Sequence, residues 1–114
     1  MNDRGSATVW SAMAMAALIA IVGVVLHLGA AVGARHRAEA AADLGALAAA
    51  AHAVEGSEVA CAKAAVVTAG MSVVLASCRL DGWDAVVEVD AAAPAPIAAL
   101  GTAHGRARAG PVQP

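Results

Sequence analysis

A chain of 114 residues that is 61% hydrophobic yet has no Phe, no Tyr and two Trp draws its apolar character mainly from alanine, which buries little area. The formal charge is −2, and the basic residues are scattered apart from Arg35/Arg37 and Arg106/Arg108, so nucleic acid is excluded as an expected partner. At this length a single small domain is expected, on a helical anchor.

The anchor comes first in the chain. After Asp3-Arg4-Gly5-Ser6 an apolar run continues unbroken to Arg35-His36-Arg37. Between Ala7 and Ala34 there is no carboxylate, lysine, arginine or proline, and His27 is the one side chain that readily carries charge. About 20 helical residues at 1.5 Å each cross a hydrocarbon layer about 30 Å thick, so a retained transmembrane segment is predicted over residues 9–34. The alternative is a signal peptide removed after Val32-Gly33-Ala34. Its leader would lack a clearly positive start, and Val9 to Leu28 exceeds the roughly 7–15 residues of a signal core. His27 is read as structural or as an assembly contact, since an imidazole in lipid is costly. The Gly29-to-Gly33 spacing matches the small-xxx-small pattern of packed membrane helices.

The helical pattern continues past the apolar run, from Arg35 to Leu47, with Arg35 and Glu39 spaced i,i+4 so that their charges meet. A helix from Thr8 to Val54 would be roughly 70 Å long, so its second half must leave the bilayer. Gly56 then ends one helix and Ser57 is placed to cap the next, with Glu58 near its start; that second helix is expected over Glu58 to Ala69, closed by Gly70.

Asp81-Gly82 follows, between two strand-like runs, Ser72 to Leu80 and Trp83 to Ala91. As a two-residue hairpin turn it would pair Leu80 with Trp83, Cys78 with Ala85, Ala76 with Val87 and Val74 with Val89 on an apolar face. The opposite face would pair Arg79 with Asp84, Leu75 with Glu88 and Val73 with Asp90. Pro94 and Pro96 are expected to end the second strand. In the tail, Thr102, His104, Arg106 and Arg108 alternate with Ala103, Gly105, Ala107 and Ala109. Laid antiparallel on the second strand, the tail would set its basic side chains over Glu88 and Asp90; the other reading is a frayed basic terminus.

Cys61 on the short helix and Cys78 on the hairpin's apolar face can share one core. Beside an export-like segment they suggest a disulfide, worth roughly 3 kcal/mol for such a loop, against two buried free thiols as the alternative. No metal site is expected, because the four histidines have no ligand-like spacing to the cysteines. No catalytic set is implied by spacing, and no cofactor is expected. The fold class is α+β: a long N-terminal helix, a short second helix and a small antiparallel hairpin or three-stranded sheet. In sequence terms, residues 1–5 are a short leader, 6–55 the long helix, 56–110 a small α+β domain and 111–114 a tail.

The residues together resemble a known family. A short leader ending in Arg4-Gly5, then Ser6-Ala7-Thr8-Val9 and an apolar helix, is similar to the processing site of type IV prepilins and pilin-like proteins. The stretch from Ala34 to Ala48, then Ala60-Cys61, Cys78 and the closing Arg106-Ala107-Arg108-Ala109-Gly110-Pro111 resemble TadE-like proteins of actinobacteria, which occur near secretion and pilus-assembly genes. The resemblance implies cleavage between Gly5 and Ser6 by a prepilin-type peptidase, an N-in orientation, a domain outside the cytoplasm, and other pilin-like or Tad-type secretion subunits as partners in a homo- or hetero-oligomer. Many members carry glutamate at the fifth position after the glycine, where it pairs with a neighbour's N-terminal amine. Trp10 stands there in this chain, so a minor subunit fits better than a bulk filament protein.

Counting basic residues alone opposes that orientation, since Arg35 and Arg37 flank the far end of the span while Arg4 is offset by Asp3. The cysteines and the family resemblance point the domain outward. Two non-enzymatic classes follow: an assembly component whose helices bundle in the cell membrane, or an exported or tethered interaction protein whose helix is only a signal or anchor.

Overall fold

In a computed structural model, which describes residues 3–92 and 101–112, one long helix carries a short helix and a three-stranded sheet on its C-terminal half. Helix α1 (Asp3–Ala51) runs unbroken for 49 residues, longer at its start and shorter at its end than the sequence suggested. Proline is absent from it and alanine dominates, so nothing in the backbone forces a break. A 3-10 turn (Ala53–Glu55) and Gly56, at φ 97°, redirect the chain into α2 (Ser57–Gly70). The expected Ser57 cap is corrected here. Gly56 takes the capping position, Ser57 is already helical, and no side chain caps α2.

Strands β1 (Val74–Asp81), β2 (Asp84–Ala91) and β3 (Ala103–Ala109) form an antiparallel sheet in the order β1-β2-β3. The tail is therefore a third strand, with Glu88 opposite Arg106 and Asp90 opposite His104. Pro94 and Pro96, expected to end β2, lie outside the described residues.

The hairpin register differs from the expected one. Leu80 lies opposite Ala85, Cys78 opposite Val87 and Arg79 opposite Val86, so the loop is Gly82-Trp83 rather than Asp81-Gly82. Gly82 adopts φ 65° and Trp83 does not share a positive φ; a glycine at the first loop position is the requirement of a type II′ turn. A two-residue shift preserves alternation, so the apolar pattern could not choose between the two registers. Trp83 consequently sits in the loop, largely exposed, and not on the core face.

A second difference comes from an irregularity at Ala76, between Leu75 and Ser77. Beyond it Leu75 pairs with Val89 and Val74 with Asp90. One extra residue reverses which way each side chain points. Leu75 therefore packs on the core and Val74 is exposed, the reverse of the expected faces, while Ser77 takes the place opposite Glu88.

The core joins Ala38, Ala41, Ala42, Ala46 and Ala49 of α1 to Ala60 and Ala64 of α2 and to Ala85, Val87, Val89 and Ala91 of β2. The folded unit thus begins inside α1. Because its facing residues are small, helix and sheet approach at backbone distance: a Cβ added at Gly105 of β3 would lie 2.3 Å from the Ala38 carbonyl oxygen. No side chain other than hydrogen fits there.

Candidate membrane and assembly site

The two halves of α1 present different surfaces. In the second half a stripe of Ala34, Ala38, Ala41, Ala42, Gly45, Ala46 and Ala49 is buried, at the i, i+4, i+7 and i+8 spacing of one helix face. In the first half nothing is buried, and the helix is long and apolar enough to cross a membrane. Trp10 is 72% exposed, Leu18 63% and Ile19 68%, and Val9, Met13, Val22 and Val25 are exposed on the remaining sides. A soluble monomer rarely leaves so large and continuous an apolar surface uncovered.

The boundary between the halves is sharp. Ala34 is buried, with Ala103 of the sheet and the half-buried Ala30 of α1 packed against it, so the lower edge of the sheet meets α1 at Ala34. The stretch free of protein contact thus ends near Gly29, and Ala7 to Gly29 at 1.5 Å per residue measures about 33 Å, close to the ~30 Å of a hydrocarbon core.

The residues singled out from the sequence fall along this surface. Gly5 and Ser6 are exposed near the start of α1, where the first backbone N–H groups lack helical acceptors and the helix opens most readily. The Thr8 hydroxyl donates to the Arg4 carbonyl at 3.1 Å across the same turn. Trp10 projects from the apolar half. A methyl group placed on Gly29 or Gly33 would meet no neighbouring atom within 4 Å, so within a single chain these glycines pack against nothing. His27 borders a shallow notch above Gly23, shared with Ala20, Val24 and Leu28.

The folded half is stapled and zipped. Cys61 of α2 and Cys78 of β1 are joined in a disulfide, with Cα atoms 5.8 Å apart, and it ties an edge strand to the helical layer. On the opposite face of the sheet the acids of β2 meet the bases of β3. Asp84 Oδ2 accepts from Arg108 Nε at 2.9 Å and from its Nη2 at 2.6 Å, Glu88 lies 3.5 Å from Arg106, and His104 contacts Asp90. Ser77 donates to Glu88 at 2.9 Å from the other side. Hydrogen bonding and charge from Asp84, with a smaller contribution from Asp81, raise the Arg108 pKa above its ordinary value. These pairs are exposed, so they set strand register more than they add stability. The pairing of Arg79 with Asp84 expected from sequence is replaced by Arg108 with Asp84 because of the shifted turn.

Residues 5–52 match a family model described as Putative Flp pilus-assembly TadE/G-like. The long helix is similar to that family. The match ends at His52, one residue beyond α1, so what is similar to the TadE/G-like family is the helix, including the alanine stripe that receives the sheet. A Mycobacterium tuberculosis protein named Apoptosis inhibitor Rv3654c is 53% identical over 53 residues, which span 46% of this chain and 63% of the relative. No solved structure matches the chain. The uncovered apolar helix is consistent with a membrane-anchored protein.

Two features have almost no signature in the sequence. The alanine stripe was invisible because the other faces of α1 in that region are also alanine-rich. The Gly105 contact with Ala38 carries only one signal in the sequence, a glycine at an inward position of an alternating strand.

Proposed function

We propose that the chain is a single-pass, membrane-anchored, non-enzymatic component of a pilus-assembly or secretion apparatus, acting as a minor pilin-like subunit. The observation that carries this reading is the pairing of an entirely uncovered apolar half-helix with a disulfide-stapled sheet on one continuous TadE/G-like helix. In this reading a prepilin-type peptidase cuts between Gly5 and Ser6, the N-terminus lies on the cytoplasmic side, and the sheet faces outward at the cell surface or in a filament. The disulfide favours an oxidising side for the sheet. Neighbouring pilin-like or Tad-type subunits would pack on α1 through Gly29 and Gly33. Trp10 supports a minor subunit, because the glutamate that would register a neighbour's amine is replaced by an indole.

The test is N-terminal sequencing of protein from its native host, together with thiol labelling of intact cells. A start at Ser6 with Cys61 and Cys78 oxidised is the expected result. Reduced, cytosolic cysteines would overturn the outward orientation.

A second reading is an exported or tethered interaction protein whose helix is only a signal or anchor. The relative named as an apoptosis inhibitor favours it, since that name describes a role outside pilus assembly. The core begins at Ala38, so a chain starting at Arg35 would keep it whole. A native N-terminus at Arg35 would select this reading over the first.

A further inference from the structure

At the point where α1 passes from its uncovered half to its covered half, three consecutive basic side chains surround it. Arg35, His36 and Arg37 follow directly after the buried Ala34, and all three are exposed. Successive helical residues are turned by about 100°, so Arg35 and Arg37 flank the alanine stripe on either side while His36 points away from it. The sheet, through Ala103 against Ala34, closes the remaining side.

We propose that these three residues form a collar that binds the phosphates of lipid headgroups where α1 leaves the bilayer, setting how far the sheet stands from the membrane. The inference rests on the membrane-anchored reading above and adds its lipid partner. Three observations support it. First, depth agrees: Arg4 and Arg35 are about 46 Å apart along α1 at 1.5 Å per residue, close to the ~40–45 Å between the outer limits of the two headgroup layers. Second, charge agrees. Glu39 is the acid that faces the collar, 3.1 Å from Arg35 and 3.9 Å from His36, and it lies a helical turn farther from the apolar half. That pair is exposed and weakly held, and Arg37 takes no ion pair among the described residues, so the guanidiniums are free to turn toward lipid. Third, the sheet blocks deeper insertion. Ala103 meets α1 at Ala34, so the bilayer cannot rise along that side beyond the sheet's lower edge.

Two of the sheet's three arginines provide an internal control. Arg79 and Arg108 flank Val86 near the hairpin end, and Arg108 is held by Asp84. They lie at the end of the sheet remote from Ala103 and should see no lipid.

The experiment places the full chain, with arginine Cζ labelled in carbon-13, in vesicles of phosphatidylcholine and phosphatidylglycerol in phosphate-free buffer. Carbon–phosphorus dipolar recoupling by solid-state NMR then reads proximity to lipid phosphorus. Arg35→Gln and Arg37→Gln variants assign the two collar signals. The expected result is loss of intensity for Arg35 and Arg37 and full retention for Arg79 and Arg108. In the same sample, isoleucine methyls are also carbon-13 labelled, and contacts of Ile19 and Ile21 with acyl-chain protons report the anchoring itself. Acyl contacts with undiminished collar signals would overturn the collar and leave the anchor standing; absence of both would overturn both. Equal loss at Arg35, Arg37, Arg79 and Arg108 would also overturn the collar, because it would mean indiscriminate phosphate contact.

Discussion

One helix, two fates: residues up to Gly29 bury no face of α1, whereas residues from Ala34 to Ala49 bury one face. The backbone is the same and alanine is abundant in both. What differs is where the large side chains stand. In the first half Val, Ile, Leu, Met and Trp project all round, and in the second the packed face has only Ala and Gly, with Leu44 and Leu47 turned away from the sheet. Bulk outward suits a lipid or helical neighbour, while small residues inward admit a sheet at backbone distance. The usual inside–outside rule for apolar residues is thereby inverted along this helix.

The strongest challenge to this comparison is Gly105→Val. Its Cβ would fall on the Ala38 carbonyl, a backbone group that cannot move aside, so the loss should exceed about 3 kcal/mol, beyond ordinary overpacking. Denaturant unfolding of the protein in detergent checks it, and a stable variant would mean that helix and sheet are not in backbone contact.

Next in size is a matched pair on α1. Leu18 is 63% exposed and Leu47 59%, so an arginine at either should be equally tolerated if exposure alone matters. If the first half lies in lipid, Leu18→Arg costs about 3 kcal/mol of insertion and Leu47→Arg almost nothing. Membrane fractionation after carbonate extraction distinguishes the two outcomes.

Replacing Cys61 and Cys78 together by Ala should lower the stability of the folded half by about 3 kcal/mol while leaving membrane retention of the first half unchanged. A parallel loss of retention would show that the halves are not independent.

The smallest effect is expected at Gly29→Ala. Nothing lies within 4 Å of the added methyl, so unfolding of the isolated chain should shift by no more than about 1 kcal/mol, in the stabilising direction of higher helix propensity. Any effect on self-association, read by sedimentation in detergent, would then report a neighbouring helix and not the fold.

Much of this architecture could be read from residue pattern. The long helix followed from an uninterrupted alanine-rich run, and the third strand from basic residues alternating opposite Glu88 and Asp90. The hairpin shows where pattern stops. Alternation is blind to a shift of two, so the choice of Gly82-Trp83 as the loop rests on glycine's place in the turn, and the irregularity at Ala76 has no composition of its own. At the candidate site, the apolar half and its flanking arginines were visible directly. The face that receives the sheet was not, because a helix of nearly uniform alanine has no amphipathic signature; only the inward glycine of β3 breaks that uniformity.

The absence of any interruption in α1 has a mechanical result. No proline separates Trp10 from Gly45, the helix is continuous between them, and the sheet is seated against it at backbone level. The molecule therefore behaves as an axle with a flag fixed to one end. Rotating the N-terminal segment by one residue's pitch would swing Trp83 through the same angle, so the direction in which the flag is shown to other molecules is chosen by whatever grips the opposite end.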